Sequence, residues 1–134
     1  MRGLLMKKFY KRTILTILSF FIMLAANAQA LEDVTNGIRT GNVTAIAKFF
    51  DNNVVITINS NQSIYSKAQA EIVLKDFFIK NQVKEFTVKQ GGPSGQNAKY
   101  AIGTLTTTNG TYQVYLVMKL KDEAYVLREV RFEK

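Results

Sequence analysis

Few residues in this 134-residue chain have side chains suited to chemistry. Histidine and cysteine are both absent. Their absence removes the commonest general base near neutral pH, the Ser-His and Cys-His nucleophile systems, and the usual zinc ligands. A metal site would rest on carboxylates alone. These are spread singly except for Glu32-Asp33 and Asp122-Glu123, which read as a helix start and a turn. What remains is Asp76, an acid inside a strong helical pattern, a set of tyrosines, and Arg128. A buried carboxylate beside a tyrosine can abstract a proton and hold the oxyanion that forms. Asp76, next to Phe77, would be that acid, with Tyr65, Tyr100, Tyr112, Tyr115 or Tyr125 as the donor. The plainer reading places Asp76 on the wet face of its helix and the tyrosines in ordinary strand packing.

Arg128 shares a strand face with Val126, Val130 and Phe132. Pointing into an apolar interior, it needs an anionic partner and could hold a carboxylate or sulfate. Turned outward by a β-bulge, it is solvated or paired with Glu129 or Glu85. Gly91-Gly92-Pro93-Ser94-Gly95 lacks the lysine-serine pair and the following helix of a phosphate loop and reads as part of a mobile loop from Gln90 to Asn97. No cofactor is implied.

The elements that must position these residues centre on Lys99 to Lys134, which reads as an antiparallel meander of three strands. Asn109-Gly110 suits a type I′ turn, which sets Thr108 opposite Thr111, Leu105 opposite Val114, Gly103 opposite Leu116 and Ala101 opposite Met118. Small residues then meet large ones on the buried face, and Thr104, Thr106, Gln113 and Tyr115 lie on a wetter one. The turn at Asp122-Glu123 poses a conflict. A two-residue loop sets Met118 opposite Leu127, whereas a three-residue loop sets Leu116 opposite Val130 and Val114 opposite Phe132. A bulge near Arg128-Glu129 reconciles the two.

Before the meander, Leu31 to Thr40 has helical spacing, with Gly41 as its stop. Asn42 caps a second helix whose stripe is Val43, Ile46, Ala47 and Phe50, ended by Asp51-Asn52-Asn53. Val54 to Ile58 is a strand, Asn59 to Gln62 a polar turn, and Ser63 to Tyr65 a short returning strand. Ser66-Lys67-Ala68-Gln69 matches a capping box. It opens a helix from Lys67 to Asn81, with Ala70, Val73, Leu74, Phe77 and Phe78 on its apolar face. Lys84 to Lys89 is a further strand.

The first thirty residues read as a cleaved secretion signal. Arg2, Lys7, Lys8, Lys11 and Arg12 precede an apolar run from Thr13 to Ala26, short for a membrane span, and Ala28-Gln29-Ala30 is a small-x-small cleavage site. Residues 31–134 form a single domain, exported to the periplasm or the medium and carrying no stable membrane anchor once cleaved. The formal charge of the whole chain is +8, but the domain alone has thirteen Lys and Arg against ten Asp and Glu, a net +3. Those cations are scattered, so nucleic acid is not an expected partner.

The order helix, helix, strand, short strand, helix and four strands resembles the nuclear-transport-factor-2-like fold. The matching text is Gly41 to Phe50, Val54 to Ile58, Tyr65 to Ala70, Phe77-Phe78, Gly110 to Val114 and Val126 to Phe132. Within that fold the chain looks like a group of small exported Bacteroidetes proteins. The resemblance implies an α+β architecture: N-terminal helices and one long helix packed on a curved antiparallel sheet, forming a cone. It is silent on activity, because this fold carries isomerases, dehydratases, cyclases and non-enzymatic binding domains alike. A non-catalytic binding domain is expected, holding a small amphipathic or anionic ligand, or a partner protein, in or beside the cone. Tyr65, Phe77, Tyr112, Leu116, Met118 and Arg128 are placed to line the pocket. The alternatives are a ketosteroid-isomerase-like lyase or isomerase using Asp76 with a tyrosine, and a structural module that forms a homodimer through Tyr115, Val117 and Val130 on the outer sheet face.

Overall fold

The structure is a computed structural model describing residues 29–134 together with Tyr10, Lys11, Thr13, Ile14, Thr16, Ile17 and Leu18. The rest of the expected secretion signal, including Ala28 of its cleavage site, lies outside the described residues. Among the described residues no helix is long and apolar enough to cross a membrane.

Helix α1 is described over residues 29–40 and buries Val34 and Ile38. It ends at Gly41, whose φ of 66° is open to glycine at little cost. Asn42 then caps α2 (Val43–Ala47), its Oδ1 accepting from the Ala45 N–H at 3.2 Å. This helix is shorter than its apolar stripe suggests. Phe50 is buried, but as the first residue of strand β1 (Phe50–Ile58), paired with Leu127. Strand β2 (Asn61–Ser66) follows, and then helix α3 (Lys67–Lys80). The capping box is formed as expected: Ser66 Oγ accepts from the Gln69 N–H, and Gln69 Oε1 from the Ser66 N–H, both at 3.3 Å. The remaining strands are β3 (Val83–Pro93), β4 (Ala98–Thr107), β5 (Gly110–Lys121) and β6 (Ala124–Glu133).

These strands make one curved six-stranded sheet in the order β2-β1-β6-β5-β4-β3. Every neighbouring pair is antiparallel except β1 and β6, which run parallel. The helices cover its inner face. Phe77 of α3 stacks on Phe132 with centroids 4.2 Å apart and meets Tyr112 edge-on at 5.2 Å. Leu105, Val114, Leu116, Met118, Leu127 and Phe132 are fully buried beneath. The architecture is the α+β arrangement of helices on a curved sheet that the resemblance implies, with one parallel pair in the sheet.

Three local readings are corrected. The β4–β5 register is displaced by two residues, so Gly103 faces Val114 and Ala101 faces Leu116. A two-residue shift leaves every side chain on its expected face. The cause is visible at the hairpin tip. Asn109 Nδ2 donates to the Lys80 carbonyl at 2.5 Å, and the Thr108 N–H donates to the Gln82 carbonyl at 2.9 Å. Thr108 and Asn109 are thus held as the turn's corners against the end of α3, and Gly110, at φ 115°, starts β5. Second, Gln90 to Pro93 is strand rather than loop. Pro93 is tolerated there because β3 is the sheet edge, where a missing N–H costs no ladder bond. Third, Val130 is buried opposite Leu116 and does not contribute to the outer face.

The conflict at the last turn resolves as the apolar pattern requires. Asp122 and Glu123 form a two-residue loop, both at positive φ, and Met118 faces Leu127. The register then shifts, so that Leu116 faces Val130 and Val114 faces Phe132, with Arg128 as the extra residue.

Candidate functional site

The expected pocket residues separate into three places. Leu116 and Met118 are fully buried in the core, and Tyr65 is half-buried against its side. Phe77 and Tyr112 reach a cleft beside the cone, between α3 and the end of β1. Arg128 lies on the opposite, outer side of the sheet, where its bulge turns it to solvent.

The cleft beside the cone encloses about 500 Å³. Ile58 ends β1 and forms one wall, while Ile72, Val73 and Phe77 of α3 form the other. Its floor is a buried polar pair. The Tyr112 hydroxyl donates to Asn81 Oδ1 at 2.9 Å, and Asn81 Nδ2 donates to the Phe77 carbonyl at 2.9 Å. Asn81 is the residue at which α3 stops: its backbone N–H donates to the Phe77 carbonyl at 2.8 Å, and its side-chain amide adds a second bond to the same oxygen. This pair is satisfied within the protein, so it sets the shape of the floor rather than presenting a reactive group.

Asp76 stands at the rim, 61 % exposed, its Oδ2 bonded to Lys80 Nζ at 3.0 Å. It is not the desolvated carboxylate that an isomerase base requires. The other tyrosines do not converge on it. Tyr100 and Tyr115 lie on the outer face with centroids 6.5 Å apart, and the Lys99 ammonium sits 4.6 Å over the Tyr125 ring. Among the described residues no group of three or more acidic side chains gathers to hold a metal ion.

Ile58, Ile72 and Asn81 were not singled out by sequence reasoning. Ile72 carried a signal: it falls off the stripe of Ala70, Val73, Leu74, Phe77 and Phe78, and it is 67 % exposed. Ile79 of the same helix is 74 % exposed as well, so a wet isoleucine on α3 gains meaning only from the cleft that it lines.

On the outer face, Asp51 accepts from Lys121 Nζ at 2.8 Å and from the Asn52 N–H at 2.7 Å. The Lys121 bond and then the Asn52 bond hold its carboxyl below the ordinary carboxylate value, and the charge of nearby Arg128 adds to the effect.

The family model described as "Domain of unknown function (DUF4783)" matches residues 31–133. Two crystal structures of DUF4783 family proteins are similar to the chain throughout the domain. The one from Bacteroides uniformis ATCC 8492 is 26% identical, with a TM-score of 0.74 over 77% of this chain and 94% of that one. The one from Bacteroides ovatus ATCC 8483 is also 26% identical, with a TM-score of 0.73 over 76% and 92%. An NTF2-like protein of unknown function from Cytophaga hutchinsonii shares the fold at 11% identity, with a TM-score of 0.58 over 79% and 87%. No curated protein is significantly similar to the chain.

Proposed function

The chain belongs to the DUF4783 family, whose function is unknown, and on that premise we propose that it is an exported, non-catalytic binding domain whose cleft beside the cone takes a small amphipathic ligand. The observation that carries this reading is the exposed Ile72 standing over an apolar wall of Ile58, Val73, Phe77 and Tyr112. Small-ligand sites are concave and mostly apolar, with a few fixed polar groups, and the volume here falls in their usual range of about 300–1,000 Å³. The rim charges Asp76 and Lys80 neutralise each other, which favours an uncharged ligand. The basic start, apolar run and Ala28-Gln29-Ala30 of the sequence support export.

The neutral dye N-phenyl-1-naphthylamine tests the cleft. Saturable fluorescence enhancement is expected, weakened about tenfold by Ile72→Lys, which places a charge in the apolar wall. Enhancement that is absent, or that survives Ile72→Lys unchanged, refutes the reading. A second reading rests on the half-buried outer-face residues Tyr100, Ile102, Tyr115 and Val117, which favour pairing of two copies. Light scattering returning a monomer mass excludes it.

A further inference from the structure

Two irregularities face each other on the outer side of the sheet. In β6, Arg128 is the extra residue between Leu127, paired with Met118, and Glu129, paired with Val117. In β1, Phe50 pairs with Leu127 and Val55 with Glu129, so residues 51–54 lie opposite Arg128 alone. Both strands lose their regular ladder at one level, and a cleft of about 410 Å³ opens there. Arg128, Lys119 and Lys121 line it together with Asp51, Val55 and Ile64.

The charges in this cleft do not cancel. Lys121 is taken up by Asp51 at 2.8 Å. Arg128 and Lys119 are exposed and make no hydrogen bond or ion pair among the described residues. Two cations therefore keep their N–H donors open, one of them a planar guanidinium fork suited to two-point contact with a carboxylate or phosphate, although the charge of Arg128 also acts on Asp51. Beside them Val55 and Ile64 are direct cross-strand partners and form an apolar shelf. Ile64 is 69 % exposed on the edge strand β2, so its side chain is open to an apolar ligand. A ligand with an anionic head and a short apolar tail would satisfy both halves at once.

We propose that the cleft between the β1 and β6 bulges binds a small amphipathic anion, its carboxylate or phosphate on Arg128 and Lys119 and its apolar part on Val55 and Ile64. This site is separate from the cleft beside the cone and does not depend on it.

Amide chemical shifts of the folded domain, titrated with octanoate, octyl phosphate, 1-octanol and inorganic phosphate, test the proposal. Octanoate and octyl phosphate should bind saturably and shift residues 51–55, 64, 119–121 and 127–129. Octanol and inorganic phosphate, each carrying half of the ligand, should bind at least about tenfold more weakly. Arg128→Gln and Lys119→Gln should each weaken octanoate about tenfold, and Asp51→Asn, which frees Lys121, should tighten it. Ile72→Lys should leave octanoate binding unchanged, so failure here and failure of the cone-side cleft are read separately. Co-sedimentation with phosphatidylglycerol vesicles, abolished by Arg128→Gln, would identify the anion as a lipid headgroup; its absence alongside octyl phosphate binding identifies a free small molecule. Equal affinity for octanol, indifference to Arg128→Gln, or shifts confined to α3 would overturn the proposal.

Discussion

Thr57 is 4 % exposed on β1, between Gln62 of β2 and Arg131 of β6, and its hydroxyl finds no hydrogen-bond partner among the described residues. A buried hydroxyl without a partner loses its hydration and gains nothing in return. Thr57→Val keeps the branched shape and removes the unsatisfied oxygen. It should raise the free energy of unfolding by about 1 kcal/mol, measured by urea denaturation. Asp51 acts in the opposite sense. Its folded-state pKa lies below the ordinary value of 3.8, so its stabilising effect is complete above that value and is lost as pH drops further, through the lowered folded-state pKa. Asp51→Asn should therefore destabilise the protein at pH 7, and the difference from the parent chain should shrink by pH 3. Urea midpoints at the two pH values check this. Gly103 shows the packing at the same scale: a Cβ there would meet the Phe86 ring at 2.6 and 2.7 Å and the Thr87 carbonyl at 2.8 Å. Sequence reasoning saw that a small residue belonged at this position but not which aromatic ring covered it.

At the scale of elements, the chain could be read wherever one local rule acted alone. Helix α3 was legible because its capping box and its apolar stripe agree. The β6 bulge was legible because two registers each satisfied half of the buried face. The Asn109-Gly110 hairpin was misread because its residues answer to a distant element as well as to their own turn. Positive φ at both turn residues occurs instead at Asn59-Ser60 and Asp122-Glu123. Asn109→Ala removes the amide bond to the Lys80 carbonyl and should cost about 1 kcal/mol, with faster hydrogen exchange at the end of α3. The start of β1 was hidden for a similar reason. Phe50 continues the helical stripe by spacing, but its pairing with Leu127 is set by a residue far along the chain. Of the candidate site, Phe77 and Tyr112 were legible from the inward face they share. The cleft itself was not, because it forms where three separated segments end.

For the molecule as a whole, the two clefts lie on opposite sides of a tightly packed core. Sites this separate, with no shared partners, contribute independently. The double variant Ile72→Lys with Arg128→Gln should lose dye binding and octanoate binding by the same factors as the single variants. Titrating both ligands against all four proteins checks it.

The parallel pairing of β1 with β6 has a temporal consequence. Β6 stands in the middle of the sheet although it is the latest of the six strands in sequence, and the turn after β1 is bonded to residues 73 and 75 positions away. During synthesis the β1–β2 hairpin cannot join the rest of the sheet until that final segment emerges, and β3 to β5 form without the strand that links them to it. The complete sheet therefore closes only after translation has passed Phe132.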